Sequence, residues 1–283
     1  MKKIITAVIA RIIIYPILVA ILLSLFFFCL YVFPKKTISL FTPGQWHIQY
    51  QDIILETKDG LKLSGWFIPN KNSRKAIIVC HGYPMDKGDI FGVTEFLAKG
   101  YNLLYFDFRA MGKSEGYVST SGWREREDFR AAIRFLKNKG FSDIGAFGFS
   151  MGAAVIFLAD SPDIKCIVSD SSYARLRTAV QAIFTNFGAL RAPLIELIRL
   201  WSLIFLQVDI NSVAPINFIA GRNIPIFLIH CQTDTHIPVS EALELRNADP
   251  RSDLLLIPKG DHGESVYSNE YEPRILKFFQ ANL

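Results

Sequence analysis

Residues 148–152 read Gly148-Phe149-Ser150-Met151-Gly152, the G-x-S-x-G spacing of a nucleophile elbow, in which a serine stands on a cramped turn between a strand and a helix. A chain that reverses so sharply forces its central residue into a strained backbone conformation and brings neighbouring main chain close. Glycine is the residue that fits on either side. Residues 144–147 are short and apolar, as a buried strand should be. Residues 153–159 are apolar all round, which suits a helix pressed against a parallel sheet. The pentapeptide alone recurs by chance, so its weight comes from this strand, turn and helix setting.

Working outward, strand-like and helix-like segments alternate. Residues 76–80, 102–106, 164–168, 224–230 and 254–257 are apolar runs of strand length. Between or after them, residues 89–99, 123–139 and 272–281 read as helices, the second with Phe129, Ile133 and Leu136 at helical spacing and Gly140 as its stop. Ahead of these, residues 52–57 and 61–68 flank Lys58-Asp59-Gly60, a hairpin signal that predicts antiparallel strands at the start of the sheet. The pattern predicts an α/β fold, a mostly parallel sheet with helices on both faces. Residues 173–222 break the alternation. They are long, apolar and aromatic but interrupted by Arg177, Arg191, Glu196 and Arg199, and read as a helical cap above the carboxyl edge of the sheet.

A serine hydroxyl attacks poorly until a base removes its proton, and the base needs a third group to hold its tautomer. Two segments past the elbow supply candidates. Asp234 follows strand 224–230 within Cys231-Gln232-Thr233-Asp234-Thr235-His236-Ile237-Pro238, and His262 follows strand 254–257 within Gly260-Asp261-His262-Gly263. Both lie just beyond the carboxyl ends of strands, where catalytic side chains collect in open α/β sheets. An attacked carbonyl also needs donors for its developing negative oxygen. The backbone N–H groups of Tyr83, in His81-Gly82-Tyr83-Pro84 after strand 76–80, and of Met151 are the expected pair.

With these motifs and Asp107-Phe108-Arg109-Ala110-Met111-Gly112-Lys113-Ser114, residues 50–282 resemble the α/β-hydrolase superfamily. The likeness is to membrane-anchored bacterial hydrolases near the serine aminopeptidase-like group. The resemblance implies the α/β-hydrolase fold and a triad of Ser150, Asp234 and His262 that uses neither metal nor organic cofactor. Two positions depart from the family pattern: Ala110 stands where glycine is usual, and Cys231 where glycine commonly precedes the acid.

Other polar residues have blander readings. In the family His81 is structural, and His230 falls inside a strand. His236 neighbours Asp234 but precedes the last strand, so the order disfavours it as the base. Asp170 occupies an alternative acid position after strand 164–168. Asp107 and Arg109 brace a turn, and Ser114 lacks the elbow setting.

The chain has 283 residues and a formal charge of +5, room for one membrane segment and one α/β domain. Basic residues are scattered among acidic ones, which argues against a nucleic-acid partner. Cys29, Cys80, Cys166 and Cys231 lie far apart and suit buried structural thiols rather than a metal or redox site. Residues 12–33 carry no charge, and at 1.5 Å per residue span roughly 30 Å, a bilayer core. The run ends in Phe28-Cys29-Leu30-Tyr31-Val32-Phe33-Pro34 without the small residues of a signal-peptide cleavage site. The expected organisation is therefore a transmembrane anchor over 1–36, a linker over 37–50, and the hydrolase domain over 51–283 with its cap at about 173–222. Lys2, Lys3 and Arg11 slightly outweigh Lys35 and Lys36, which tips the catalytic domain to the outer side.

The functional expectation is a serine hydrolase of carboxylic esters or thioesters, acting on apolar or lipid-like acyl substrates. Phe184, Phe187, Leu190, Trp201 and Phe205 are the expected source of an apolar pocket. A peptidase or amidase built on the same triad is the alternative enzyme, and a catalytically silent tethered binding module the alternative outside enzymes.

Overall fold

The structure, a computed structural model, describes the backbone of residues 2–283 and the side chains of Arg11 and of residues 14–283. The side chains of Lys2 and Lys3, on which the sidedness expectation partly rests, lie outside the described residues. The chain runs α1 (Lys2–Val32), β1 (Gln51–Glu56), β2 (Lys62–Ile68), β3 (Lys75–Cys80), α2 (Lys87–Thr94), β4 (Asn102–Phe106), α3 (Glu125–Asn138), β5 (Asp143–Phe149), α4 (Met151–Ala159) and β6 (Ile164–Asp170). It continues with α5 (Leu176–Ile183), α6 (Arg191–Trp201), α7 (Ile216–Ile219), β7 (Ile226–Cys231), α8 (Val239–Ala248), β8 (Asp253–Ile257) and α9 (Tyr271–Asn282).

Among the described residues the strands form one eight-stranded sheet in the order β1-β2-β4-β3-β5-β6-β7-β8. β1 and β2 pair antiparallel, as does β2 with β4, and every other pairing is parallel. The period-two rule explains why β3 carries an unbroken apolar run. Ala76 and Ile78 pack towards α3 and α4 with Phe129, Leu136 and Val155. Ile77 and Val79 pack on the other face with Phe91, Ile275 and Phe279. Both faces of the strand are covered, so neither set has anywhere polar to look.

Boundaries moved for identifiable reasons. α2 starts at Lys87, earlier than the pattern indicated, because the Asp86 carboxylate accepts from the N–H groups of Gly88 and Asp89 and caps the helix. Beyond Thr94 the segment tightens into a 3₁₀ turn, Glu95–Lys99. β7 begins at Ile226, after Pro225, which has no N–H to donate. The helix α8, which the sequence reading left unassigned, follows Pro238 directly.

Residues 37–50 are packed along the domain between α1 and the sheet. Ser39 N–H donates to Asp86, and Trp46 sets its ring edge-on to Phe91 at 5.3 Å. Residues between β6 and β7 form the helical cap, and the cap rests against α1 rather than standing clear of it. Phe27 of α1 meets Phe184 at 5.0 Å, and the Trp201 indole N–H donates to Ser24 Oγ at 3.0 Å.

The turn after β4 is held by buried charge. Asp107 accepts from Lys87 Nζ at 2.6 Å and from the backbone N–H groups of Lys87 and Lys113. Arg109 forks onto Asp128 and reaches Asp59, while Ser114 Oγ donates to the Asp107 carbonyl. In the middle of this turn Ala110 is buried at φ +64°, the left-handed region where a Cβ is costly. That is the physical reason for glycine at this position. Ala110→Gly relieves the strain at some cost in unfolded-state entropy, for a net gain of about 0.5–1 kcal/mol. The expected outcome is a rise in Tm of about 1–4 °C for a domain of this size, measured by thermal denaturation; an unchanged or lower Tm would refute it.

Candidate active site

The elbow forms where the sequence places it. β5 ends at Phe149, α4 begins at Met151, and Ser150 between them has φ 52° and ψ −118°, a strained region for any residue with a side chain. The flanking glycines are there for contact rather than for dihedral freedom. A Cβ on Gly152 would stand 2.5 Å from the carbonyl oxygens of Cys80 and His81, and one on Gly148 would stand 2.5 Å from Ala153 N. Close approach of α4 to the end of β3 thus brings Met151 beside the His81-Gly82-Tyr83 loop.

Three side chains remote in sequence meet at this rim. His262 Nε2 lies 2.9 Å from Ser150 Oγ, and His262 Nδ1 lies 2.8 Å from Asp234 Oδ2. The other Asp234 oxygen accepts from the N–H groups of His236 and Ile237, each at 2.8 Å. Burial pushes the Asp234 carboxyl up. The hydrogen bond and charge of His262, with those N–H groups, outweigh it and hold the carboxyl below the ordinary aspartate value. An imidazole fixed by a carboxylate on Nδ1 presents Nε2 to the serine hydroxyl, the orientation in which it can accept that proton.

The competing histidines and carboxylate are engaged elsewhere. His81 is buried, with Nδ1 at 2.7 Å from the Gly82 carbonyl and Nε2 accepting from Phe108 N–H at 2.9 Å, so it ties the β3 loop to the β4 loop. Burial lowers its pKa. His230 Nε2 donates to the Ile237 carbonyl, beneath the Asp234 loop. His236 turns Nδ1 towards Asp261 at 3.6 Å. Asp170 accepts from Ser171, Ser265 and Tyr271, while His262 turns to Asp234. Burial pushes its carboxyl up against those bonds. Its bond to Ser265, three residues past His262, anchors the loop that carries the histidine.

A family model described as the alpha/beta hydrolase fold matches residues 75–192. The esterase Pf2001 of Pyrococcus furiosus superposes with a TM-score of 0.74 at 31% identity, over 89% of this chain and 98% of that one. The chain belongs to the α/β-hydrolase family. Among curated proteins, YfhR of Escherichia coli, named as uncharacterized, is 28% identical over 90% of this chain and 92% of its own length. The yeast protein YNL320W, named as an uncharacterized membrane protein, is 22% identical over 81% of this chain. An acylaminoacyl peptidase of Pyrococcus horikoshii shares the fold, with a TM-score of 0.64 at 20% identity.

A cavity of about 400 Å³ opens over this α/β-hydrolase centre, with Ser150, Met151, Tyr83 and His262 on its floor. Its walls depart from the sequence reading. Of the five apolar residues expected to shape it, Phe184 lines it. Phe187 and Trp201 pack on α1, and Leu190 and Phe205 are exposed. One side of the cap's lining comes from α5, where Leu176, Ala179, Val180 and Ile183 are half-buried because they face the cavity, and the rest from residues such as Ile198, Leu206 and Ile210. The opposite wall is α1 itself, through Phe27, Phe28, Tyr31 and Val32. Nothing in the linear pattern distinguished these residues from the rest of an apolar helix.

A second feature also escaped the sequence reading. The acid and histidine loops are laced together by Asp261, which accepts from Thr235 N–H and Oγ and from His262 N–H, each at 2.8 Å. Those donors hold its carboxyl well below the ordinary range. Thr233 and Gly260 exchange a reciprocal pair of bonds beside it. With Asp234 and Asp261 both depressed, the contribution of this lacing is complete above the ordinary carboxylate pKa near 4. It is lost only as pH falls through their lowered values. Asp261→Ala unties the loops without touching the serine. The expected result is a fall in kcat of about tenfold to a hundredfold, the scale of a small misplacement near reacting atoms, with KM little changed, in steady-state ester kinetics.

Proposed function

We propose that this α/β hydrolase is a serine carboxylic ester hydrolase that cleaves apolar acyl esters or thioesters and is held at a membrane by α1. The observation that carries the reading is the imidazole of His262 bridging Ser150 Oγ and Asp234 within hydrogen-bond distance of both. In the mechanism, Ser150 Oγ attacks the acyl carbonyl carbon as His262 Nε2 takes its proton. Asp234 keeps the imidazole in register and stabilises its positive charge. The N–H groups of Met151 and Tyr83 receive the carbonyl oxygen as it becomes negative, a contribution of roughly 3–4 kcal/mol per donor in comparable sites. His262 then protonates the leaving alcohol or thiol, and the acyl group remains on Ser150. Water, activated by the same imidazole, attacks the acyl-enzyme and releases the acid.

The cavity lining favours an acyl ester over a peptide. None of the described residues around it is Asp, Glu, Lys or Arg, so neither a substrate ammonium nor a carboxylate would find a charge partner there, and stripping water from either is costly. For the anchor, the support is Ile14–Val32, long and apolar enough to cross a bilayer. Positive charge at the amino end, Lys2, Lys3 and Arg11 against Lys35 and Lys36 at the other, slightly favours the catalytic domain on the outer side.

Ser150→Ala is expected to remove labelling by a fluorophosphonate probe and to lower turnover of p-nitrophenyl butyrate by at least about a thousandfold. Retained labelling or retained turnover would sink the mechanism. An ester hydrolase that also released p-nitroanilide from amino-acid anilides at comparable kcat/KM would instead favour the peptidase.

A further inference from the structure

α1 is both the membrane-length helix and a wall of the cavity, and the two roles constrain each other. Arg11 marks the last charge before the uncharged run. About 20 residues are needed to cross a hydrocarbon core of roughly 30 Å, which carries the span from there to Val32. The cap begins to pack on α1 well before that end. Ala20, Leu23 and Phe27 join the cluster built by Phe184, Leu194, Ile195 and Ile198. Further along, Phe28 meets Phe205 at 5.9 Å. A helix segment cannot be wrapped in lipid and packed on a water-immersed cap at the same depth. On the anchor reading, the edge of the cap that packs on α1 therefore lies at leaflet depth beside the second half of α1, while the ion-paired Arg177, Glu196, Arg199 and Asp209 need water or headgroups.

The outward surfaces agree with that depth. Leu22, Phe26 and Leu30, spaced four apart on α1, are 57%, 61% and 53% exposed. The cap also leaves Leu203, Ile204 and Phe205 exposed, next to α1 where Phe205 meets Phe28. Large apolar side chains left open on two adjoining elements mark surfaces that meet something apolar, and here one of those elements is the span itself. The inward surfaces are the cavity walls. At its floor α1 also meets the loop of the proposed oxyanion donor. Tyr83 OH donates to the Leu30 carbonyl at 3.3 Å, and the Tyr31 and Tyr83 rings lie 6.3 Å apart.

We propose that the substrate is a long-chain acyl ester drawn sideways from the bilayer leaflet, its chain passing between α1 and the cap to Ser150. In this arrangement Phe28 and Val32 of α1 set the acyl length accepted. This rests on the serine hydrolase and anchor readings above and adds the substrate class, its route and the residues that measure it. The chain stays in apolar surroundings from leaflet to cavity, so no step exposes it to water.

The test uses the full-length protein in phosphatidylcholine vesicles, with 4-methylumbelliferyl palmitate and butyrate as probes. Val32→Trp fills the cavity and is expected to lower the palmitate-to-butyrate ratio of kcat/KM by at least about tenfold, the discrimination that a misplaced methylene carries in an apolar pocket. Phe28→Ala enlarges the cavity and is expected to raise the same ratio. Opposite shifts within each variant's own ratio cannot come from partial unfolding. Palmitate embedded in the protein's own vesicles is expected to turn over on the order of a hundredfold faster than palmitate in separate vesicles, because the shared bilayer raises its effective concentration. An active enzyme whose ratio neither variant moves, or which cleaves both vesicle populations equally, overturns the lateral route and leaves the hydrolase standing. A protein that cleaves neither ester and does not take up the fluorophosphonate overturns the hydrolase itself.

Discussion

The close approach of α4 to the end of β3 is the constraint on which the site depends. Gly152 allows main chain to pass main chain where no Cβ would fit, and Ser150 is consequently trapped at φ 52°. Such a conformation costs about 1–3 kcal/mol and survives only when the surroundings over-determine it. Here they do. α4 is buried along its whole length, and β5 is held between parallel neighbours β3 and β6. The sheet supplies rigidity, and the turn spends it on presenting one hydroxyl.

The other half of the site is built from loops, and loops need different support. The acid and histidine segments follow β7 and β8, neighbours in the sheet, so their backbones start close. Asp261, Thr235 and Thr233 then close the gap between them, and Asp170 pins the far side of the histidine loop through Ser265 and Tyr271. A proposed catalytic geometry that tolerates little error is consistent with the density of hydrogen bonds around these two loops. His81 does the corresponding work beside the Tyr83 loop, joining two loops through its two ring nitrogens.

A helix read from composition as a tether turns out to be structural to the cavity. Its outward stripe remains apolar and exposed while its inward stripe meets the cap and the loop of Tyr83. On the proposed anchor reading, one helix couples location to substrate choice, because its exposed apolar surface is the reverse side of the surface that lines the pocket.

The local signals determined the architecture and the order of the three polar residues. Unbroken apolar runs mark strands covered on both faces, glycines at fixed spacing mark an elbow that only they can fit, and Asp234 and His262 follow strands at the edge where such residues gather. These are short-range steric and burial constraints, so they leave their trace in neighbouring residues. The sequence order favoured Asp234 over Asp170, and the tertiary structure sets Asp234, three residues past β7, within hydrogen-bond reach of His262, while Asp170 closes β6 and bonds elsewhere. Tertiary structure alone decided that Asp261 laces the loops, and that α1 and α5 wall the cavity beside Phe184, while Phe187, Leu190, Trp201 and Phe205 do not. An apolar residue pointing into a core, a cavity or a bilayer looks the same in sequence, because the hydrophobic effect has no direction; the direction comes from what the folded chain sets opposite it.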